Sequence, residues 1–350
     1  MPRLRLLPLA PATKSQATER WLYFCGFRWC RSECVYVNVG VTDAVSAIAS
    51  ALLLVGVGAF YSLWVHRAAG NRALTMGLYI VFGAFGFFLF LFGLGSIFRD
   101  WREGNSPESS SYMAIIIGVI AALTLVPSLR RLTARVIPFD PESWPATIGL
   151  YTLGALGVVS AFSLFGSNSA GAISYFALAV TAATEVALAF VVVGVGFYRS
   201  REEAIARLGF SRPTGRQVMI ALGLVVVTFA VSALSSYLVQ VLQPGLHEQI
   251  TRNMEQMTSR IQSVPGALAL GLAAGIGEET LFRGAIQPRY GIVFTALIFA
   301  LLHQQYGPSL ITVGAFASGI IFGLARKHLG TVPAIITHAL YNIIAVLLLL

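Results

Sequence analysis

The segment Glu278-Glu279-Thr280-Leu281-Phe282-Arg283 puts two adjacent carboxylates and a guanidinium inside an otherwise apolar stretch. Farther on come Phe299-x-x-x-His303 and His338-x-x-x-Asn342, each in its own apolar run. At membrane depth such groups are costly unless they are paired or used in chemistry. Their types suit hydrolysis. A desolvated carboxylate is a competent general base near neutral pH. A neutral imidazole can hold or polarise a water. His338 and Asn342 stand four apart on one helix face, and both offer N–H donors to an oxyanion. Phe299 shares a face with His303 and can shape or dry the pocket.

Helical spacing sorts the charges. Glu279 and Arg283 are four apart, with the acid N-terminal to the base, the better orientation for an ion pair. Glu278 is rotated roughly 100° from Glu279 and is free to point elsewhere. Glu279 and Arg283 therefore read as supporting residues and Glu278 as the reactive one. Depth agrees. At about 1.5 Å per residue, Glu278 lies about 13 Å from the helix end near Gln287, and His338 about 10 Å from Thr331. His303 and Asn342 fall within several ångströms of that level, on a cavity expected to open toward the cytoplasm.

These groups need a membrane bundle to hold them. Of the 350 residues 56% are hydrophobic and 11% charged, against about 25% charged in soluble domains. The expected fold is an all-α polytopic transmembrane bundle of about ten helices. The spans read as 45–66, 73–98, 112–129, 146–167, 171–198, 217–242, 264–287, 291–303, 309–326 and 331–350. The net charge of +9 is almost wholly arginine. Arginines recur after alternate spans, at Arg67, Arg130, Arg199, Arg289 and Arg326, which assigns those loops to the cytoplasm. No basic run interleaved with aromatics suggests a nucleic-acid partner. The expected surroundings are a lipid bilayer, most simply a bacterial cytoplasmic membrane, and a peptide or membrane-protein substrate.

Three regions follow. Residues 1–44 read as a poorly ordered leader holding Cys25, Cys30 and Cys34, whose spacing matches no metal or redox motif. Residues 45–199 are accessory transmembrane helices. Residues 200–350 carry the chemistry, beginning with a short amphipathic interfacial helix at 201–210. Glu185 is a further intramembrane acid, read as pairing with a neighbouring Thr, Ser or backbone group. Gln304, Gln305 and Tyr306 are candidates to line a water path.

The three motifs, in this order and on successive helices, resemble those of the CPBP family, the CAAX proteases and bacteriocin-processing proteins. That family includes the Ras-converting CAAX endopeptidase and bacterial Abi-type immunity proteins. The resemblance covers roughly 210–350. It implies an intramembrane endopeptidase in which Glu278 activates water with His303. His338 and Asn342 would form the oxyanion hole, with Glu279 and Arg283 supporting.

The metal question has two sides. Glu278, His303 and His338 could supply three zinc ligands and leave a fourth position for water. Asn342 is a poor zinc ligand, and His247-Glu248 does not continue as His-Glu-x-x-His. The residues favour no metal and no cofactor, with zinc on Glu278, His303 and His338 as the alternative. Serine and aspartyl chemistries fit worse, since Phe316 precedes Ser318-Gly319 where a glycine is needed, and no Asp follows Asp140. Outside hydrolysis, buried Glu and His also serve proton-coupled transport. A non-proteolytic transporter, or a scaffold or immunity protein, is therefore the other reading.

Overall fold

A computed structural model describes residues 41–68, 70–166 and 171–348. The expected leader, with its three cysteines, lies outside them up to residue 40. Residues 41–44 belong to the first helix.

The chain is an all-helical bundle. In order come α1 (Val41–Ala68), α2 (Arg72–Arg102), α3 (Ser109–Leu125), α4 (Pro127–Thr133), α5 (Trp144–Ser163), α6 (Tyr175–Val193) and α7 (Arg201–Leu208). Then follow α8 (Gly215–Leu242), α9 (Pro244–Thr258), α10 (Val264–Glu278), a π-helical turn (Glu279–Ile286), α11 (Gln287–Leu302), α12 (Leu310–Leu329) and α13 (Thr331–Leu347). Local sequence explains many of the starts. Ser263 accepts from Gly266 N ahead of Pro265 in α10, and Ser309 accepts from Ile311 N and Thr312 N in α12. Capping boxes join Ser200 with Glu203 and Thr214 with Gln217. Each supplies a partner to an otherwise orphaned N–H.

Seven of the described helices are long and apolar enough to cross a membrane, or eight if the bent pair α3 and α4 counts as one span. The protein is an integral membrane protein. Large apolar side chains such as Leu52, Leu53, Phe87, Phe88 and Val226 are exposed on its outer faces, as lipid contact requires. The count is below ten for two reasons. Residues 264–302 run on as one bent path, and α13 is shorter than a full span. The expected turn at Gly291 is present inside that path, with φ at +77°, a conformation glycine adopts without strain.

The interfacial helix forms as expected. It is α7, closed by Gly209 in the left-handed region. A second amphipathic helix, α9, lies where the sequence reading placed none. Leu246, Ile250 and Met254 recur at helical spacing on its inner side, while Glu248 and Arg252 pair outside at 3.5 Å. Ile173 N at the start of α6 bonds Met257 O and ties α9 down.

Two contacts position the later site. α6, from the accessory half, packs on α10, and α10 packs closely on α13. The second approach depends on missing side chains. A Cβ at Gly271 would lie 2.6 Å from Ala339 O, and one at Gly275 would lie 2.7 Å from Ala339 Cβ. Gly275→Val should force α10 and α13 apart and cost about 1–3 kcal/mol. Thermal unfolding in detergent should show a lowered midpoint, with Gly223→Ala, which faces open space, as an unaffected control.

Candidate active site

α10 delivers Glu278 as its last residue, and the chain then widens into the π turn. Such turns are rare and recur at functional sites. Every residue of this one except Leu281 is buried. The wider turn does not separate Glu279 from Arg283. Their side chains, both fully buried, meet at 3.2 Å between Oε1 and Nη1. The contact is an ion pair without hydrogen-bond alignment, since Arg283 Nη1 has no hydrogen-bond partner.

Burying both charges costs several kcal/mol per ion unless neighbours compensate. Neighbours offset part of that cost, while Glu279 Oε2 and Arg283 Nε stay without a hydrogen-bond partner among the described residues. Arg283 Nη2 donates to Gly319 O at 3.3 Å. Its guanidinium lies 4.4 Å from the Phe299 ring centre, 5.4 Å from Phe322 and 5.8 Å from Phe282, within cation–π range. His338 Nδ1 bonds Glu279 Oε1 at 2.9 Å. One carboxylate oxygen thus joins the π turn to α13.

Phe299 stands between the two histidines. Its ring centre lies 4.5 Å from that of His303 and 5.9 Å from that of His338. Phe322 stacks on His338 at 4.6 Å, and Tyr306 stacks on His303 at 5.7 Å. His303 Nδ1 lies 2.8 Å from Phe299 O. A carbonyl or carboxylate oxygen only accepts, so Nδ1 carries the proton in both rings. Each neutral imidazole therefore presents Nε2 as an acceptor.

Glu278 is half-buried and forms no salt bridge among the described residues. Its Oε2 is buried without a hydrogen-bond partner there. Glu278 also lies within electrostatic reach of Tyr306, the residue stacked on His303. Asn342 is half-buried one turn beyond His338 on α13. It makes no hydrogen bond among the described residues. Among those residues no three His, Cys, Asp or Glu side chains are grouped to hold a metal ion.

Glu185 differs from its expected setting. Among the described residues no hydroxyl or backbone group takes its carboxylate. A Cβ at Gly277 would lie 2.2 Å from Glu185 Oε2, so the carboxylate rests on the α10 backbone. It is within electrostatic reach of Glu278 and Glu279. Gly277, directly before Glu278, was the available clue. Phe322 and Gly319, which enclose Arg283, carry no distinguishing sequence signal.

Gln304 and Gln305 line a cavity of about 240 Å³ with Leu246 and Gln249 of α9 and Leu164 after α5. Tyr306 is not part of its lining. None of Glu278, His303, His338 and Asn342 is in its lining.

Arg283→Ala should leave the Glu279 charge buried and uncompensated, at a cost of about 3–5 kcal/mol. Glu278→Gln should cost below about 1 kcal/mol, because no partner is lost. Unfolding midpoints of the two variants test this division, and equal losses would contradict it.

The comparisons with known proteins agree with the geometry. No curated protein and no solved structure matches the chain. A family model does, described as type II CAAX prenyl endopeptidase Rce1-like, over residues 260–344. That stretch runs from just before α10 into α13 and contains all three motifs. Over residues 260–344 the chain is thus similar to the type II CAAX prenyl endopeptidase Rce1-like family.

Proposed function

We propose that this protein is an intramembrane endopeptidase that hydrolyses a peptide bond with a water activated by Glu278. The observation that carries the reading is the contrast between adjacent carboxylates. Glu279 is engaged through Oε1 by Arg283 and His338, whereas the Glu278 side chain makes no hydrogen bond or salt bridge among the described residues, although Oε2 is without a partner in both. The Rce1-like match supplies the reaction class. The clustering of Glu279, Arg283, Phe299 and both histidines favours one reaction centre over a path strung through the membrane for transport.

In this mechanism His303 Nε2 accepts a hydrogen bond from the water, and Glu278 takes its proton. The water oxygen bonds to the scissile carbonyl carbon. Asn342 donates its side-chain amide to the developing oxyanion. His338 can donate from Nε2 only once protonated, and the resulting imidazolium would lie against the Glu279 carboxylate. The carbon–nitrogen bond then breaks, and Glu278 passes its proton to the leaving amine. No metal takes part. The substrate class is a peptide or membrane-protein segment reached from the bilayer, with prenylated C-terminal peptides as the class named by the matching family.

Glu278→Gln should reduce turnover of a peptide library by about 10²–10⁴-fold while leaving the unfolding midpoint in place. Asn342→Ala should cost about 10²–10³-fold, as for one oxyanion donor. A chelator should change neither the wild-type rate nor its pH profile. Activity lost on chelation and restored by zinc would refute the metal-free mechanism. Full activity in Glu278→Gln would refute the assignment of the base.

A further inference from the structure

Four arginines lie toward the arginine-bearing end of the bundle, with Arg199, Arg289 and Arg326 within electrostatic reach of Arg207. Arg199 follows α6, Arg207 lies on α7, Arg289 on α11 and Arg326 on α12. All four are half-buried. None forms a salt bridge with a carboxylate among the described residues. Among the described residues their partners are carbonyls, rings and, for Arg289, the Tyr290 hydroxyl. Arg199 Nη1 donates to Val193 O, and its guanidinium lies 5.0 Å from the Tyr198 ring centre. Arg207 Nη1 donates to Gly284 O at 3.2 Å. Arg326 lies against the backbone of Gly209, and its buried Nε has no partner among the described residues.

Converging charges of one sign, partly removed from water, call for a counterion. The nearest acids in sequence do not serve. Glu203 is committed to the Ser200 backbone N–H in the α7 capping box, and Glu202 is exposed at that helix start. The strain falls on Arg207. Burial, and then the charges of Arg289, Arg199 and Arg326, push its pKa down to about 10. It stays protonated at neutral pH and lacks an anion.

The neighbouring surface indicates which anion. A cavity of about 400 Å³ has Arg326 and Lys327 beside Pro288, Gly291 and Ile292, with Gln287 at its base. Basic and apolar groups stand together at the ends of membrane helices. That chemistry suits a phosphate joined to a glycerol and acyl chain better than a free ion. Planar guanidinium groups match phosphate oxygens in paired hydrogen bonds.

We propose that this cluster binds the phosphate of an anionic phospholipid. Arg207 and Arg326 hold the oxygens, Arg199 and Arg289 supply the surrounding charge, and the cavity takes the ester end of the lipid. Arg207 also holds the Gly284 carbonyl of the π turn. A lipid bound there would brace the segment that carries Glu279 and Arg283.

The test uses full-length protein in a neutral detergent, with phosphatidylglycerol, phosphatidylcholine or inorganic phosphate added in turn. Phosphatidylglycerol should raise the unfolding midpoint and be retained in native mass spectra, and phosphatidylcholine should do neither. The double variant Arg207→Gln/Arg326→Gln should bind phosphatidylglycerol roughly tenfold more weakly or worse. If that variant does not fold, Arg326→Lys keeps the charge and loses the planar fork, and it should still weaken binding. Unchanged affinity in either folded variant would overturn the site. The full shift with inorganic phosphate alone, with no addition from lipid, would overturn the assignment to phospholipid. Neither readout depends on peptidase activity.

Discussion

The Glu279 carboxylate is fully buried beside two positive or proton-bearing neighbours, and the C-terminal half of the bundle is arranged around it. Arg283 supplies the charge from the same turn. His338 supplies an N–H from α13. Gly319 O on α12 and the Phe299 and Phe322 rings then enclose the guanidinium. One buried ion pair consequently touches the π turn, α11, α12 and α13. Such a pair stabilises a fold only when its desolvation is offset by geometry of this kind. Its stronger effect is on specificity, because a displaced helix would leave a charge exposed to hydrocarbon.

Two neighbouring glutamates thereby acquire different chemistry. Glu279 is held through Oε1 by two partners and fixes the tautomer of His338. Glu278, one residue earlier, has no side-chain hydrogen bond or salt bridge among the described residues. The same logic applies at His303, where Phe299 O fixes Nδ1 and leaves Nε2 available. Fixing one ring nitrogen to define the other is a common way of preparing a histidine for catalysis. Here both imidazoles are oriented before any substrate is present.

The close packing that permits this is made by glycine. Gly271 and Gly275 let α10 approach α13, and Gly277 receives the Glu185 carboxylate from α6. Small residues at membrane helix interfaces allow such approach because apolar side chains gain little by leaving lipid. The accessory helices are therefore not separate from the site. Through α6 they place a third carboxylate beside Glu278 and Glu279.

The sequence by itself determined the class of fold, since long apolar runs leave only helices as satisfied backbone in lipid. It also determined the Glu279–Arg283 pair, the turn at Gly291 and the interfacial α7, because these depend on spacing within one element or on a backbone preference. The motif residues were legible as types and positions. Tertiary structure alone decided that His338 bonds Glu279, that Phe322 stacks on His338 and that Glu185 rests on Gly277. It also decided the place of α9, whose apolar positions are too sparse to read as a span. The physical reason is one of range. Helical periodicity relates residues three and four apart. A contact across helices depends on rotation and approach distance, which are set by packing along the whole length of both.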